Sequence, residues 1–336
     1  MAGFDTYFVH EAGTLDALNN LDEGVHLLNA GTPGYLWLDY YRPTQENLAV
    51  TAELFQIHLL SVEDCLDDEQ IPKINEFDNY VQVLFNKFSY SEKNVLVGEI
   101  NLFAGKNFLI SVEKNNKHTD TLSKTYRELI RDELHKTKLG PVYAMHVILD
   151  YIVDNKFGVI EAVGDELARL EDIMTADHQK FDQAELQSIR QTLMGLRKSL
   201  FHEREIFVKI SRNDIELIPD DAIMHYNDIY DHLTKFFELT EIYREMVTNI
   251  IQTNLAMINN DIAIAANNTN FSVKRLTLIT TIFMPLALLS GIGGMSEFTM
   301  MTGQNNWKTA YAILAVVFIL IAGGNYLLLK LLDRKK

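Results

Sequence analysis

The chain has 336 residues, a single cysteine at Cys65 and a formal net charge of −16, which excludes an internal disulfide and fits a reducing compartment. The charge is uneven: residues 271–336 hold seven Lys/Arg against two Asp/Glu, and the remainder holds 23 against 44. So acidic a body argues against nucleic acid as a partner and suits one that attracts cations.

The opening MAGFDTYFVHEAG has neither a basic n-region nor an apolar h-region and does not read as a secretory signal. The first 140 residues read as mixed α and β. Tyr35–Tyr41, Tyr80–Phe88, Val95–Phe103 and Asn107–Val112 are rich in β-branched and aromatic residues at strand length. A helix is expected over Thr44–Phe55, with Thr44 as N-cap and Glu46 in the first turn. Asn47 stands where a capping box would place Glu or Gln.

Gly140-Pro141 marks a change of texture. Beyond it, Val142–Ala176 and Ala184–Lys209 carry apolar residues at three- and four-residue spacing, Leu186, Ile189, Leu193, Leu196 and Leu200 in the second. Both predict helices. After Pro219, the 71 residues Asp220–Ser290 contain no glycine and one proline, Pro285. Nothing ahead of that proline stops a helix, which would extend about 100 Å.

Two uncharged stretches close the chain, Leu276–Ser296 and Thr309–Leu329, each 21 residues long. At about 1.5 Å per residue each crosses the roughly 30 Å hydrocarbon core of a bilayer. Lys274 and Arg275 precede the first, Lys330, Arg334, Lys335 and Lys336 follow the second, and only Lys308 lies between them. Positive-inside logic puts both termini in the cytoplasm and the loop outside. Two helices cannot enclose a pore, so transport would require several copies.

Three stretches resemble one family, the CorA-type divalent-cation channels. Ile57–Leu66, with Gln70, Pro72, Lys73 and Asn79-Tyr80-Val81, is similar to the family's IHPLA-ED-L, Q-PK and NYV run. Tyr226-Asn227-Asp228-Ile229-Tyr230-Asp231-His232 resembles its RDVYDH segment, and Leu276–Gly291 its first membrane span. The family's Tyr-Gly-Met-Asn signature is altered to Gly293-Gly294-Met295-Ser296, followed by Glu297. The stalk between Asp228 and the membrane also reads about one heptad longer than the family's.

The resemblance implies a funnel-shaped homopentamer of the cell inner membrane. Its α+β fold would place a cytoplasmic α/β domain over 1–140, helical arms over 141–218 and a stalk helix over 219–275. A pore-lining transmembrane helix would follow over 276–296, then an outer loop over 297–308, a second transmembrane helix over 309–330 and a basic cytoplasmic tail over 331–336. The residues support the lining independently. Asn270, Val273, Thr277, Thr280, Met284, Ala287 and Gly291 recur at intervals of three and four, one face of a helix. The same pattern also suits close helix packing in lipid.

Mg²⁺ sheds water reluctantly, so a path for it favours neutral acceptors that hydrogen-bond its hydration shell. Asn270 would form an amide ring, Thr277 and Thr280 hydroxyl rings, and Met284 with Val273 or Leu276 apolar constrictions. Gly291 and Gly294 would let carbonyls approach the axis. Met295 packs the loop in preference to binding soft metals. Ser296 replaces an amide with a hydroxyl, and Glu297 would add a negative ring at the mouth. By resemblance, Asp228 binds regulatory divalent ions between subunits; its usual acidic partner aligns to Ser91, with Glu92 adjacent. His225, Asp228 and His232 also share a helical face, open to Zn²⁺ or to a bundle interface.

The lead expectation is a passive divalent-cation channel, Mg²⁺ first with Co²⁺, Ni²⁺ and Zn²⁺ open, gated by internal divalent ions. Divalent cations are thus its only expected ions and no organic cofactor is called for; no catalytic motif is present. The alternatives are a proton-coupled Zn²⁺ transporter of the same superfamily and a non-conducting membrane-anchored sensor or scaffold.

Overall fold

A computed structural model of the chain describes residues 3–41, 43–67, 70–91, 93–113, 119–295, 300, 303 and 306–334, the side chains of 119–123, 328, 329 and 331–334 aside. It divides into two units, Met1–Gln252 and Thr253–Lys336.

The first unit is built on β1 (Phe4–His10), β2 (Thr14–Leu18), β3 (Gly34–Tyr40), β4 (Lys73–Glu76), β5 (Tyr80–Ser91), β6 (Asn94–Gly105) and β7 (Phe108–Glu113). They form one sheet in the order β2-β1-β3-β7-β6-β5-β4, antiparallel except for β3 beside β7. The four strands expected from β-branched and aromatic runs are β3, β5, β6 and β7. Their inner stretches are buried on both faces, which is why they read as near-continuous apolar runs.

On one face, Phe8, Leu36, Tyr40, Phe103 and Phe108 pack with Leu48 and Phe55 of α2 (Gln45–Phe55) and Val62 and Cys65 of α3 (Leu59–Leu66). Helix α1 (Leu21–Asn29) starts at Asn20, whose side chain accepts from the Glu23 amide at 2.9 Å. The Asn47 that departs from the capping-box pattern closes the box after all. It accepts from the Thr44 amide at 2.8 Å while its own amide donates to the Thr44 hydroxyl at 3.3 Å. An Asn carbonyl one methylene shorter than Gln still reaches.

The other face is covered by α6 (Pro141–Ala176), preceded by α4 (Thr119–Asp132) and the single turn α5 (Leu134–Thr137). α7 (Gln183–Ser211) runs beside α6, and the predicted stripe Leu186, Ile189, Leu193, Leu196 and Leu200 is its buried face. α8 is continuous from Asp220 to Gly293, through Pro285. Within the first unit it buries Ala222, Tyr226, Ile229, Leu233 and Phe236 at helical spacing, and the Tyr226 hydroxyl donates to the Val142 carbonyl at 2.8 Å.

The second unit holds the remainder of α8 and a final helix, α9 (Trp307–Arg334). Both contain windows long and apolar enough to cross a membrane, with mean hydropathy 1.9 and 2.0. Proline lacks the amide that would bond the carbonyl four residues back. Here that carbonyl belongs to Thr281, and Asn325 of α9 donates to it at 3.4 Å. The interruption in the helix ladder is thereby answered from a neighbouring helix, as hydrocarbon requires.

Candidate ion path and cation-binding cluster

Two places are candidates for the functional chemistry, one in each unit. In the second unit, Leu278, Ile282, Pro285, Leu286, Leu289 and Gly293 are the covered positions of α8 from Leu276 onward. That is the face toward α9: the Tyr311 hydroxyl donates to the Gly293 carbonyl at 3.2 Å, and a methyl group at Gly293 would come within 2.9 Å of Leu314. The seam read from the sequence lies elsewhere on the helix. Asn270, Val273, Leu276, Thr277, Thr280, Met284, Ala287 and Gly291 are all exposed, as are Gly294 and Met295 beyond them.

The threonines on that seam have a defined hydrogen-bonding polarity. Thr277 donates to the Val273 carbonyl at 2.9 Å, and Thr280 donates to the Leu276 carbonyl at 2.7 Å. With the hydroxyl hydrogen engaged by its own helix, each oxygen presents only lone pairs outward. The waters around a divalent cation turn their hydrogens outward, so this is an acceptor surface for a hydrated cation. A bare cation would meet poorly charged ligands and gain little by shedding water. Between Asn270 and Met295 no seam residue is ionisable. Ser296 and Glu297, the expected outer end of the filter, lie outside the described residues.

In the first unit a different set of groups comes together. The ligand atoms of Asp150 and Asp154 on α6 and His232 on α8 lie within 4.8 Å of one another, with His232 Nδ1 3.5 Å from the Asp154 carboxylate. His225, Asp228 and His232 share a helical face but do not converge to ligand distance among the described residues. The reason is packing. His225 turns toward α6, where its backbone carbonyl accepts from His146 Nε2 at 3.1 Å and its ring lies 5.4 Å from the His146 ring. Burial raises the Asp150 carboxyl above the usual range, and the charges of Asp154 and Asp228 raise it further. Asp228 itself is exposed and adds its negative potential to the group. Two carboxylates that repel each other, beside an imidazole that offsets part of that repulsion, make a candidate site for a divalent cation.

The sequence reading missed Asp150 and Asp154 because their partner stands on another helix. A signal existed: Asp150 and Asp154 are four apart on a helix otherwise apolar on its inner face. Of the expected regulatory pair, Ser91 ends β5 opposite Asn94 and Glu92 lies outside the described residues. The neighbouring Lys93, at φ 65°, anchors this hairpin tip to the helices. Its ammonium is 2.7 Å from Glu166 and 3.0 Å from Glu185, and Arg169 contacts the same two carboxylates at 2.8 and 2.6 Å. Bonds from Arg169 and then Lys93 hold the Glu166 carboxyl down at about 2.

The chain is similar to known proteins along most of its length. The family described as CorA-like Mg²⁺ transporter protein matches residues 33–331. The cobalt/magnesium transport protein CorA of Thermotoga maritima is 31% identical over 274 residues, covering 80% of this chain and 74% of that protein. The complete structure of the CorA magnesium transporter from Methanocaldococcus jannaschii matches with a TM-score of 0.69 at 18% identity, over 98% of this chain and 97% of that one. The full-length CmaX protein matches equally, with a TM-score of 0.69 at 18% identity over 99% and 98%. From a family match over nearly the whole length and two helices of membrane-crossing character, the chain belongs to the CorA-like Mg²⁺ transporter family and is a membrane-bound divalent cation transporter of that family.

Proposed function

We propose that the chain is the subunit of a homopentameric inner-membrane channel for hydrated divalent cations, Mg²⁺ foremost, with both termini cytoplasmic. Five copies of α8 turn the Asn270–Gly291 seam toward a wet central axis, and α9 stands outside it against lipid. Flux is passive; the membrane potential contributes about 2.3 kcal/mol per charge per 100 mV, doubled for a divalent ion. The observation that carries this reading is the exposed seam of neutral acceptors, its threonine hydrogens engaged by the helix itself. Divalent ions held by Asp150, Asp154, His232 and the adjacent Asp228 offset repulsion among these acidic groups and favour the closed state. When internal ions fall, repulsion loosens the closed arrangement and the stalks move.

Cobalt and magnesium appear in the name of the Thermotoga maritima relative, which supports Mg²⁺ and Co²⁺ as cargo. Proton coupling finds no titratable group on the seam and would have to use Glu297 or the stalk. The test is the purified protein in liposomes, with influx of Mg²⁺, Co²⁺, Ni²⁺ and Zn²⁺ measured separately, with and without a pH gradient. Mg²⁺ influx indifferent to the pH gradient is expected. Zn²⁺ flux that requires the gradient would replace this reading, and no flux from an intact pentamer would mean a sensor or scaffold. Ser296→Asn in the same assay should sharpen Mg²⁺ preference, and Glu297→Gln should weaken uptake at low divalent concentration.

A further inference from the structure

Lys156 and Glu203 lie inside the first unit, each 0% exposed, and neither takes part in the cation cluster or the seam. The Lys156 ammonium on α6 is 2.5 Å from Glu203 Oε1 on α7, and 4.2 and 4.4 Å from the ring centres of Phe85 and Phe88 on β5. Ser199 donates to the same carboxylate oxygen at 3.0 Å, and Asn86 of β5 donates to the Ser199 hydroxyl at 2.7 Å. One polar chain, itself buried, therefore joins β5, α7 and α6.

Stability alone does not account for it. Desolvating two charges offsets most of their attraction, and apolar side chains of similar volume often serve as well. What such a pair supplies is direction, and α7 needs it. Its buried stripe nearly repeats itself: Leu186, Leu193 and Leu200 are seven residues apart, as are Ile189 and Leu196. A shift of α7 by seven residues would bring Thr192 to the place of Ser199, lay Leu186 and Leu193 on the places of Leu193 and Leu200, and lay Ile189 on that of Leu196. It would also put Leu196 where Glu203 stands, against the Lys156 ammonium. The polar chain, with Phe207 beyond it, tells the two alignments apart, the role a buried polar residue plays in fixing coiled-coil register.

We propose that the Asn86–Ser199–Glu203–Lys156 chain is a register pin that sets α7 against α6 and the sheet, and that through α6 it fixes how Asp150 and Asp154 face His232. The second half rests on the cation-binding reading of that cluster; the first half does not. Both are tested with the full chain carrying Cys65→Ala, labelled protomers being diluted into unlabelled ones. Spin labels at the exposed positions Glu161 and Lys198 should give one narrow distance in the otherwise unchanged protein. The double variant Lys156→Met with Glu203→Leu should melt close to the parent yet show a second distance population. A single narrow distance in that variant overturns the pin.

Should the double variant not fold, Ser199→Ala decides. It keeps the ion pair and the Asn86 backbone bond to Glu203 and removes the hydroxyl link to the Asn86 side chain, so the distance between labels at Lys198 and the exposed Val97 should broaden, and an unchanged narrow distribution overturns the pin. For the second half, Mg²⁺ protection of the full chain against protease is titrated. The double variant should need about tenfold more Mg²⁺ than the parent, as when a supporting residue behind a metal ligand is lost. An equal requirement removes the link to the cluster. A parent with no Mg²⁺ dependence sinks the cation-binding reading instead, leaving the pin to the distances.

Discussion

The two halves of α8 make the most instructive comparison in this protein. From Ala222 to Thr240 the helix buries a residue every three or four positions, and Val247 and Ile250 follow. From Leu255 to Ile292 it buries none, although Ile258, Ile262, Phe271, Leu276 and Phe283 lie in that stretch. The backbone is one unbroken helix throughout, because no glycine interrupts it before Gly291 and the gap at Pro285 is answered by Asn325. Continuity of secondary structure is thus set locally, while the medium each half requires is written in its side chains. The first half completes the core of its own unit; the second carries the apolar surface of a membrane span, which in the proposed assembly meets lipid and further copies.

Perturbations of the first half should appear as stability, and those of the second as flux. The largest expected effect is acid sensitivity at His146. This imidazole is buried against His225 and Tyr226 of α8, and its surroundings include Lys136 and Asp228. Burial lowers its pKa from 6.5 to about 4. The unfolded chain therefore binds a proton that the folded chain refuses between these values, so its contribution is present above pH 6.5 and lost as pH falls toward 4. The loss amounts to about 3 kcal/mol, and melting curves of His146→Leu across that window should be flatter than those of the parent. Equal slopes would remove His146 as the cause.

Asn270→Leu comes next, replacing an amide ring with an apolar one that sheds water; divalent influx should fall about 100-fold while melting is unchanged. In the first half, Gly164 has its counterpart. A Cβ there would lie 2.4 Å from the Tyr243 ring of α8, so Gly164→Val should cost about 2 kcal/mol of stability by overpacking. Thr280→Val keeps shape and removes an acceptor, and should lower influx about tenfold without altering the melt. The smallest effect is Asn325→Leu. Losing one bond between membrane helices costs about 0.6 kcal/mol, read as faster amide exchange around Thr281. A melt-neutral Gly164→Val or a flux-neutral Asn270→Leu would each break the division between the halves.

Much of this architecture was legible in the sequence where one element carries its own pattern. The strand runs at Tyr80 and Val95, the leucine stripe of α7 and the uninterrupted α8 needed no partner to be read. β1, β2 and α1 were not, because β2 is a short edge strand with a mostly exposed pattern and α1 announces itself mainly by the Asn20 cap. The seam on α8 was legible for the same reason as the stripe on α7, being periodic on one helix. Sites built across helices were not: Asp150 and Asp154 meet His232 only after α6 packs on α8, and Lys156 reads as one more surface lysine until Glu203 is brought beside it.

The most direct test of the central claim is a cysteine scan of α8 from Asn270 to Gly291 in the Cys65→Ala background, in lipid, with divalent flux recorded under a hydrophilic thiol reagent. Block of flux at positions 273, 277, 280, 284, 287 and 291, with none at 278, 282, 286 and 289, is the predicted pattern. Modification without that periodicity, or seam positions reached only by a lipid-soluble reagent, would contradict a water-filled path lined by this helix.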